Sequence, residues 1–221
     1  MSYAWDFGAL APYAGLIAQG LLVTVAFTVA TVFAGLAIGL VAGIVRTNAP
    51  RWINVPVVAY IELFRCTPLL VQLVWMYYAL PVLVGLAMSP NMACFLALSL
   101  YAGSFYAEIF RGGIEAVDRG QWEAGMAVGM RRGKIFRRIV LPQAVRVMIP
   151  SFINQTVLQL KNTSLVSTIA VGDLLYQGSV ITAALYRPLE VYSVVAILYF
   201  AVLYPLTVAA QHVERRLGVH R

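Results

Sequence analysis

Charge is scarce in this sequence. Of 221 residues, 16 are Lys or Arg and 9 are Asp or Glu, so 11% are charged and 61% are hydrophobic. Mean hydropathy is +0.81. Since soluble domains carry about 25% charged residues, this composition excludes an ordinary water-soluble fold and indicates a bilayer as solvent. Cysteine and histidine are also scarce. Cys66 and Cys94 lie in apolar segments without CxxC spacing, and His212 and His220 lie near the C-terminus. Neither a disulfide framework nor a metal site is expected, and no cofactor is implied. No apolar run contains a histidine to act as a base, and neither HExxH nor GxSxG occurs, so no enzymatic role is expected. A phosphate loop GxxxxGK[ST] is missing too: the nearest stretch, Gly129–Lys134, has the wrong spacing and no hydroxyl, so this chain should not bind ATP that way.

What is present is long apolar runs. No charged residue falls between Phe7 and Val45, and Leu21–Val45 alone makes a helix of about 37 Å at about 1.5 Å per residue, enough to cross a membrane. The run is too long for a signal-peptide core and has no basic stretch before it, so it is expected to be a span. Splitting the chain at charges, prolines and turn residues gives five spans: Gly20–Val45, Ile53–Tyr78, Met92–Phe110, Val147–Thr168 and Val191–Gln211. Val171–Tyr186 is apolar but interrupted by Gly172, Asp173 and Gly178, and reads as a partly embedded outer segment. Gly35, Gly39 and Gly43 form a small-xxx-small ridge for close approach of another helix. Trp52, Trp75, Tyr77, Tyr78 and Trp122 fall near span ends, where amphipathic rings favour the headgroup level.

Charge asymmetry orients the spans. Connections around Arg46 and Arg51 and around Arg119, Arg131, Arg132, Lys134, Arg137 and Arg138 are basic, whereas Pro81–Asn91 is uncharged. By the positive-inside rule the basic connections face the cytoplasm. Arg215, Arg216 and Arg221 put the C-terminus on the same side, and the N-terminal segment, holding only Asp6, on the other. The predicted architecture is an all-α polytopic membrane protein of about five helices, N-out and C-in, in one domain over residues 1–221. Basic loops account for most of the +7 net charge, so nucleic acid is not an expected partner, while the lipid bilayer is.

The segment Glu123-Ala124-Gly125-Met126-Ala127-Val128-Gly129, followed by Ile139, Leu141 and Pro142, resembles the EAA loop of bacterial ABC-importer permeases. That pattern is EAA, three residues, G, nine residues, I, one residue, LP, and every spacing is met. The one departure is Gly125 in place of the second Ala, at a helix-propensity cost of about 1 kcal/mol. Gln121–Val128 is predicted to form a short helix ended by Gly129 in a left-handed conformation, within a cytoplasmic connection of about 111–146. Two further stretches, Glu62–Gln72 and Tyr106–Gly113, look like the polar and basic amino-acid permease family, and Leu160–Ser167 matches a third. The resemblance runs from about Gly20 to the C-terminus.

That resemblance implies the fold of a type I ABC-importer transmembrane domain in the bacterial inner membrane. It implies inward movement of polar amino acids by alternating access, with related opine or amine solutes and an ion-coupled secondary transporter as alternatives. The expected partners are two ATPase subunits that bind ATP and Mg, a second permease, identical or homologous, and an external substrate-binding protein. Carried over residue by residue, the substrate path is Thr67, Ser104, Phe105, Glu108, Leu160 and Asn162, and the ATPase-coupling set is Glu123, Ala124, Gly125, Gly129, Ile139, Leu141 and Pro142. Asn162 stands where the family commonly has Asp, and the loss of that anion weakens any inference of a cationic substrate; Cys66 likewise stands where a Gly is common.

The ionisable residues stand out on their own account. A charge at mid-helix in lipid costs about 2.5–3.5 kcal/mol on insertion scales, so such groups should face protein, water or substrate. Glu62 pairs with Arg65 at i+3, and Glu108 has Arg111 at i+3. Lys161 lies about 20 Å from the inner end of its span, followed by small polar residues at a depth that suits a midplane site.

Overall fold

The computed structural model describes residues 3–217, and every regular element among them is helical. His220 and Arg221 lie outside the described residues, as does the side chain of Arg216. A 3-10 turn, Phe7–Tyr13, runs into α1 (Ala14–Asn48), followed by α2 (Arg51–Cys66), α3 (Leu69–Val84) and α4 (Pro90–Glu115). The short α5 (Arg119–Ala127) then leads into α6 (Arg132–Ile169), α7 (Leu174–Leu185) and α8 (Pro188–Leu217). Phe7–Thr47, Pro90–Glu115 and Pro188–Arg215 are long and apolar enough to cross a bilayer alone. The pairs α2–α3 and α6–α7, bent by 111° and 45°, pass together and bring the number to five.

Three span boundaries differ from expectation. The first helical run begins at Phe7, not Gly20: no charge falls between them, and Pro12 is taken up in the opening 3-10 turn. Ile53–Tyr78 is not one helix: it breaks at Thr67 and Pro68, both extended, with ψ of 142° and 134°. A residue before proline is pushed out of the α region, and proline brings no N–H to the ladder. Gln72 closes the gap, its Nε2 donating to the carbonyls of Phe64 (2.9 Å) and Thr67 (3.1 Å) and to Thr67 Oγ1 (2.6 Å). Val147–Thr168 proves to be the interior of the longer α6. The interrupted segment Val171–Tyr186 contains α7, whose N-cap Asp173 is fully buried and accepts from the Leu175 and Tyr176 amides.

Two π-turns, Trp75–Ala79 and Phe136–Val140, each precede a Leu-Pro pair, Leu80-Pro81 and Leu141-Pro142. In both, the leucine amide donates five residues back, to Trp75 and to Phe136. A proline ring clashes with the carbonyl four residues earlier, and the wider turn relieves that clash without breaking the helix.

The glycine ridge of α1 packs on α4. A Cβ at Gly35, Gly39 or Gly43 would sit 2.7, 2.5 or 2.9 Å from the Cβ of Ala102, Tyr106 or Phe110. The two backbones therefore approach as closely as only glycine allows. Gln159, fully buried in α6, donates to Thr31 Oγ1 and to the Leu98 carbonyl, both at 3.1 Å, and so ties α6 to α1 and α4. Near Arg119 and Arg131, here called the basic end, Val117, Ile135, Val140, Ala144 and Met148 form a separate core beneath α5.

Candidate functional site

Tyr101, Phe105, Glu108 and Gly112 recur at i, i+4, i+7 and i+11 on α4, so helical geometry places them on one face. The Tyr101 and Phe105 rings lie 4.8 Å apart by centroids. Arg65, from the end of α2, lays its guanidinium 5.7 Å from the Phe105 centroid, within cation–π reach. Glu108 collects three guanidinium groups: Arg46 of α1 at 2.5 Å, Arg111 at 2.9 Å and Arg65 at 3.6 Å. Arg65 is also 3.8 Å from Glu62, and Arg111 also pairs with Glu115. An unpaired carboxylate in lipid would be costly; here α1, α2 and α4 converge to neutralise it.

This face opens onto a cavity of about 330 Å³ between α4 and α6. Arg65, Phe105 and Glu108 line one side. Val147, Ser151 and Gln155 of α6, spaced by four, line the other. Gly113 lets α6 approach, since a Cβ there would lie 2.2 Å from Met148 Cγ.

The residues expected on the substrate path fall in different places. Phe105 and Glu108 line this cavity. Asn162 lies beside the Tyr101 hydroxyl, one aromatic contact away from Phe105. Thr67 belongs to an apolar groove with Leu63, Val71 and Trp75, and its hydroxyl is taken up by the Leu63 carbonyl (2.6 Å) and by Gln72. Ser104 and Leu160 are buried, at 0% and 3% exposure, with the Ser104 hydroxyl donating to the Tyr101 carbonyl. Arg46, Ser151 and Gln155 were not singled out as candidates. The signal for two of them was present: Gln155 precedes Asn162 by seven residues and Ser151 precedes Gln155 by four, a polar stripe on one helix face.

The second site is α5 with the turn that follows. Asp118 caps it by accepting from the Gly120 amide (2.5 Å), and Gly129 closes it with φ of 77°, as the short-helix reading required. Gly125 is buried against Ile135, where a Cβ would meet Cγ1 at 2.8 Å. The departure from the EAA pattern is thus fitted to a larger partner. Trp122 stacks on Phe136 at 6.3 Å. Glu123 faces outward, sharing a shallow groove with Arg119, Met126 and Arg132. Ala124 is exposed, Ile139 is half-buried, and Leu141 and Pro142 are exposed where α6 resumes after its π-turn. Contacts from Ile135 and Phe136 make α5 continuous with α6.

Known proteins resemble this chain over almost its whole length. Residues 35–219 match the family described as "Binding-protein-dependent transport system inner membrane component". The chain is 35% identical over 216 residues to the "Glutamine transport system permease protein GlnP" of Escherichia coli (strain K12), covering 97% of this chain and 99% of that one. It is 34% identical over 215 residues to the "Arginine transport system permease protein ArtQ" of Bacillus subtilis (strain 168), covering 96% and 97%. Among solved structures, "Crystal structure of an amino acid ABC transporter with histidines" superposes with a TM-score of 0.90 at 32% identity, covering 97% of this chain and 100% of that chain.

Proposed function

This chain belongs to the family of binding-protein-dependent transport system inner membrane components, and on that premise we propose that it is the permease of an ATP-binding-cassette importer for polar amino acids. It is a multi-pass protein of the bacterial inner membrane. ATP and Mg would be bound and turned over by two separate ATPase subunits, and substrate delivered by an external binding protein. A second permease, identical or homologous, would complete the core.

The observation that carries this reading is α5. A short helix capped by Asp118, ended by left-handed Gly129 and packed through Gly125 and Trp122 onto α6 is a rigid lever. A push on Glu123, Ala124 and the surface around them would pass through Ile135, Phe136, Ile139, Leu141 and Pro142 into α6. That helix forms one wall of the cavity beside Phe105 and Glu108, so ATP-driven movement at the basic end would reshape the path. Thr67 and Asn162 extend the path beyond the cavity, and Ser104 and Leu160 would join it only when helices separate.

The test is co-purification of the tagged chain from its native membrane, followed by reconstitution with its partners. ATP-dependent uptake of polar amino acids that requires the ATPase subunits and the binding protein is expected. Uptake driven by an ion gradient, with no ATPase bound, would overturn the proposal. In a cysteine-free background, a cysteine at Ser89 should label from outside and one at Gly120 from inside only.

A further inference from the structure

Three glutamines are buried in the helical interior, and two have an evident structural task. Gln72 bridges the α2–α3 break and Gln159 ties α6 to α1 and α4, each through its Nε2 donors. Gln155 differs. It is only 5% exposed, it makes no hydrogen bond to another described residue, and it lines the cavity shared with Arg65, Phe105, Glu108 and Ser151. Unlike the Oε1 atoms of Gln72 and Gln159, which are shut away without a partner, its amide atoms are not sealed off, so water or a ligand in the cavity can meet them.

We infer that Gln155 is the specificity-determining residue of the transport path, and that the cavity favours an amino acid with an uncharged carboxamide side chain over a cationic one. This rests on the permease reading above. A primary amide offers both donor and acceptor, matching another carboxamide group for group. The one carboxylate lining the cavity, Glu108, is occupied by Arg46 and Arg111 at 2.5 and 2.9 Å, so no free anion is left for a lysine-like ammonium. Arg65 is the least committed cation, 3.6 and 3.8 Å from its two carboxylates. It is placed to receive a substrate carboxylate through its planar fork. A volume of about 330 Å³ falls in the range of small-molecule pockets, about 300–1,000 Å³.

Specificity built on a polar group is lost when that group changes, because the partner is then left unpaired. The experiment measures equilibrium binding of free glutamine and free lysine to the purified permease–ATPase complex without binding protein, and then uptake with it. Wild type should bind glutamine at least 10-fold more tightly than lysine. Gln155→Met should lower glutamine affinity about 10-fold or more, and Gln155→Glu, which adds a free carboxylate of the same size, should shift the ratio towards lysine. Ser151→Ala, one turn away, should weaken glutamine binding about threefold. Should the Met variant fail to assemble with the ATPase, the near-isosteric Glu variant and Ser151→Ala decide the matter. An unchanged glutamine-to-lysine ratio in these variants, or a wild type that prefers lysine, overturns the inference while leaving the permease reading intact. A reconstituted complex that takes up no amino acid would overturn both.

Discussion

Replacing Gly39 with alanine should open the seam between α1 and α4. The added Cβ would lie 2.5 Å from Tyr106 Cβ, 2.9 Å from the Ala107 nitrogen and 3.0 Å from the Gly103 oxygen. Two of these are backbone atoms, so no side-chain rotation relieves the clash. Ordinary carbon contacts are about 3.5–4.0 Å, so the helices must separate by roughly 1 Å, and a gap of that size forfeits roughly a quarter to a half of each dispersion contact it crosses. In lipid this contact is the main force between helices, because no hydrophobic drive adds to it. Overpacking of this kind costs about 1–3 kcal/mol, offset by about 1 kcal/mol of helix propensity for Gly→Ala. The net loss is up to about 2 kcal/mol, or a fall of several degrees at about 2–4 °C per kcal/mol for a chain of this size. Gly15→Ala on the same helix is the control: nothing lies within 4 Å of its Cβ, so only the propensity gain remains. The assay is thermal unfolding of the purified chain in detergent. A Gly39→Ala variant that melts at or above wild type, with Gly15→Ala no more stable than it, would refute the close-packing argument.

Gly129→Val should weaken recovery of the ATPase on affinity purification while leaving the spans folded. Its φ of 77° is left-handed, at a cost of roughly 1–2 kcal/mol for a residue with a Cβ, and Gly129→Asn should be better tolerated. Gln72→Leu should lower the melting temperature by several degrees, since it removes a donor shared by Phe64 and Thr67, and each buried group left unmet costs about 1–3 kcal/mol. Ala170→Gly, at φ of 60° between α6 and α7, should raise thermal stability by up to about 1 kcal/mol, because glycine adopts that conformation without a Cβ penalty.

Composition and patterning determined by themselves that the chain is helical and crosses a bilayer about five times, and they set the expectation that its basic loops share one side. Those conclusions depend on transfer free energies that add residue by residue along the chain. The Gly35–Gly39–Gly43 ridge and the Glu123–Pro142 motif were legible for the same reason: each is a local spacing, and helix geometry fixes the face on which it lies. Only the tertiary structure decided where the charges go. Glu108 was seen with its neighbour Arg111, but its other partners come from α1 and α2, at Arg46 and Arg65. The burial of Ser104 and Leu160 and the place of Gln155 on the cavity wall likewise follow from how helices stack across the fold. Such pairings depend on distance in space between residues far apart in sequence, and helical period carries no information about which helices meet.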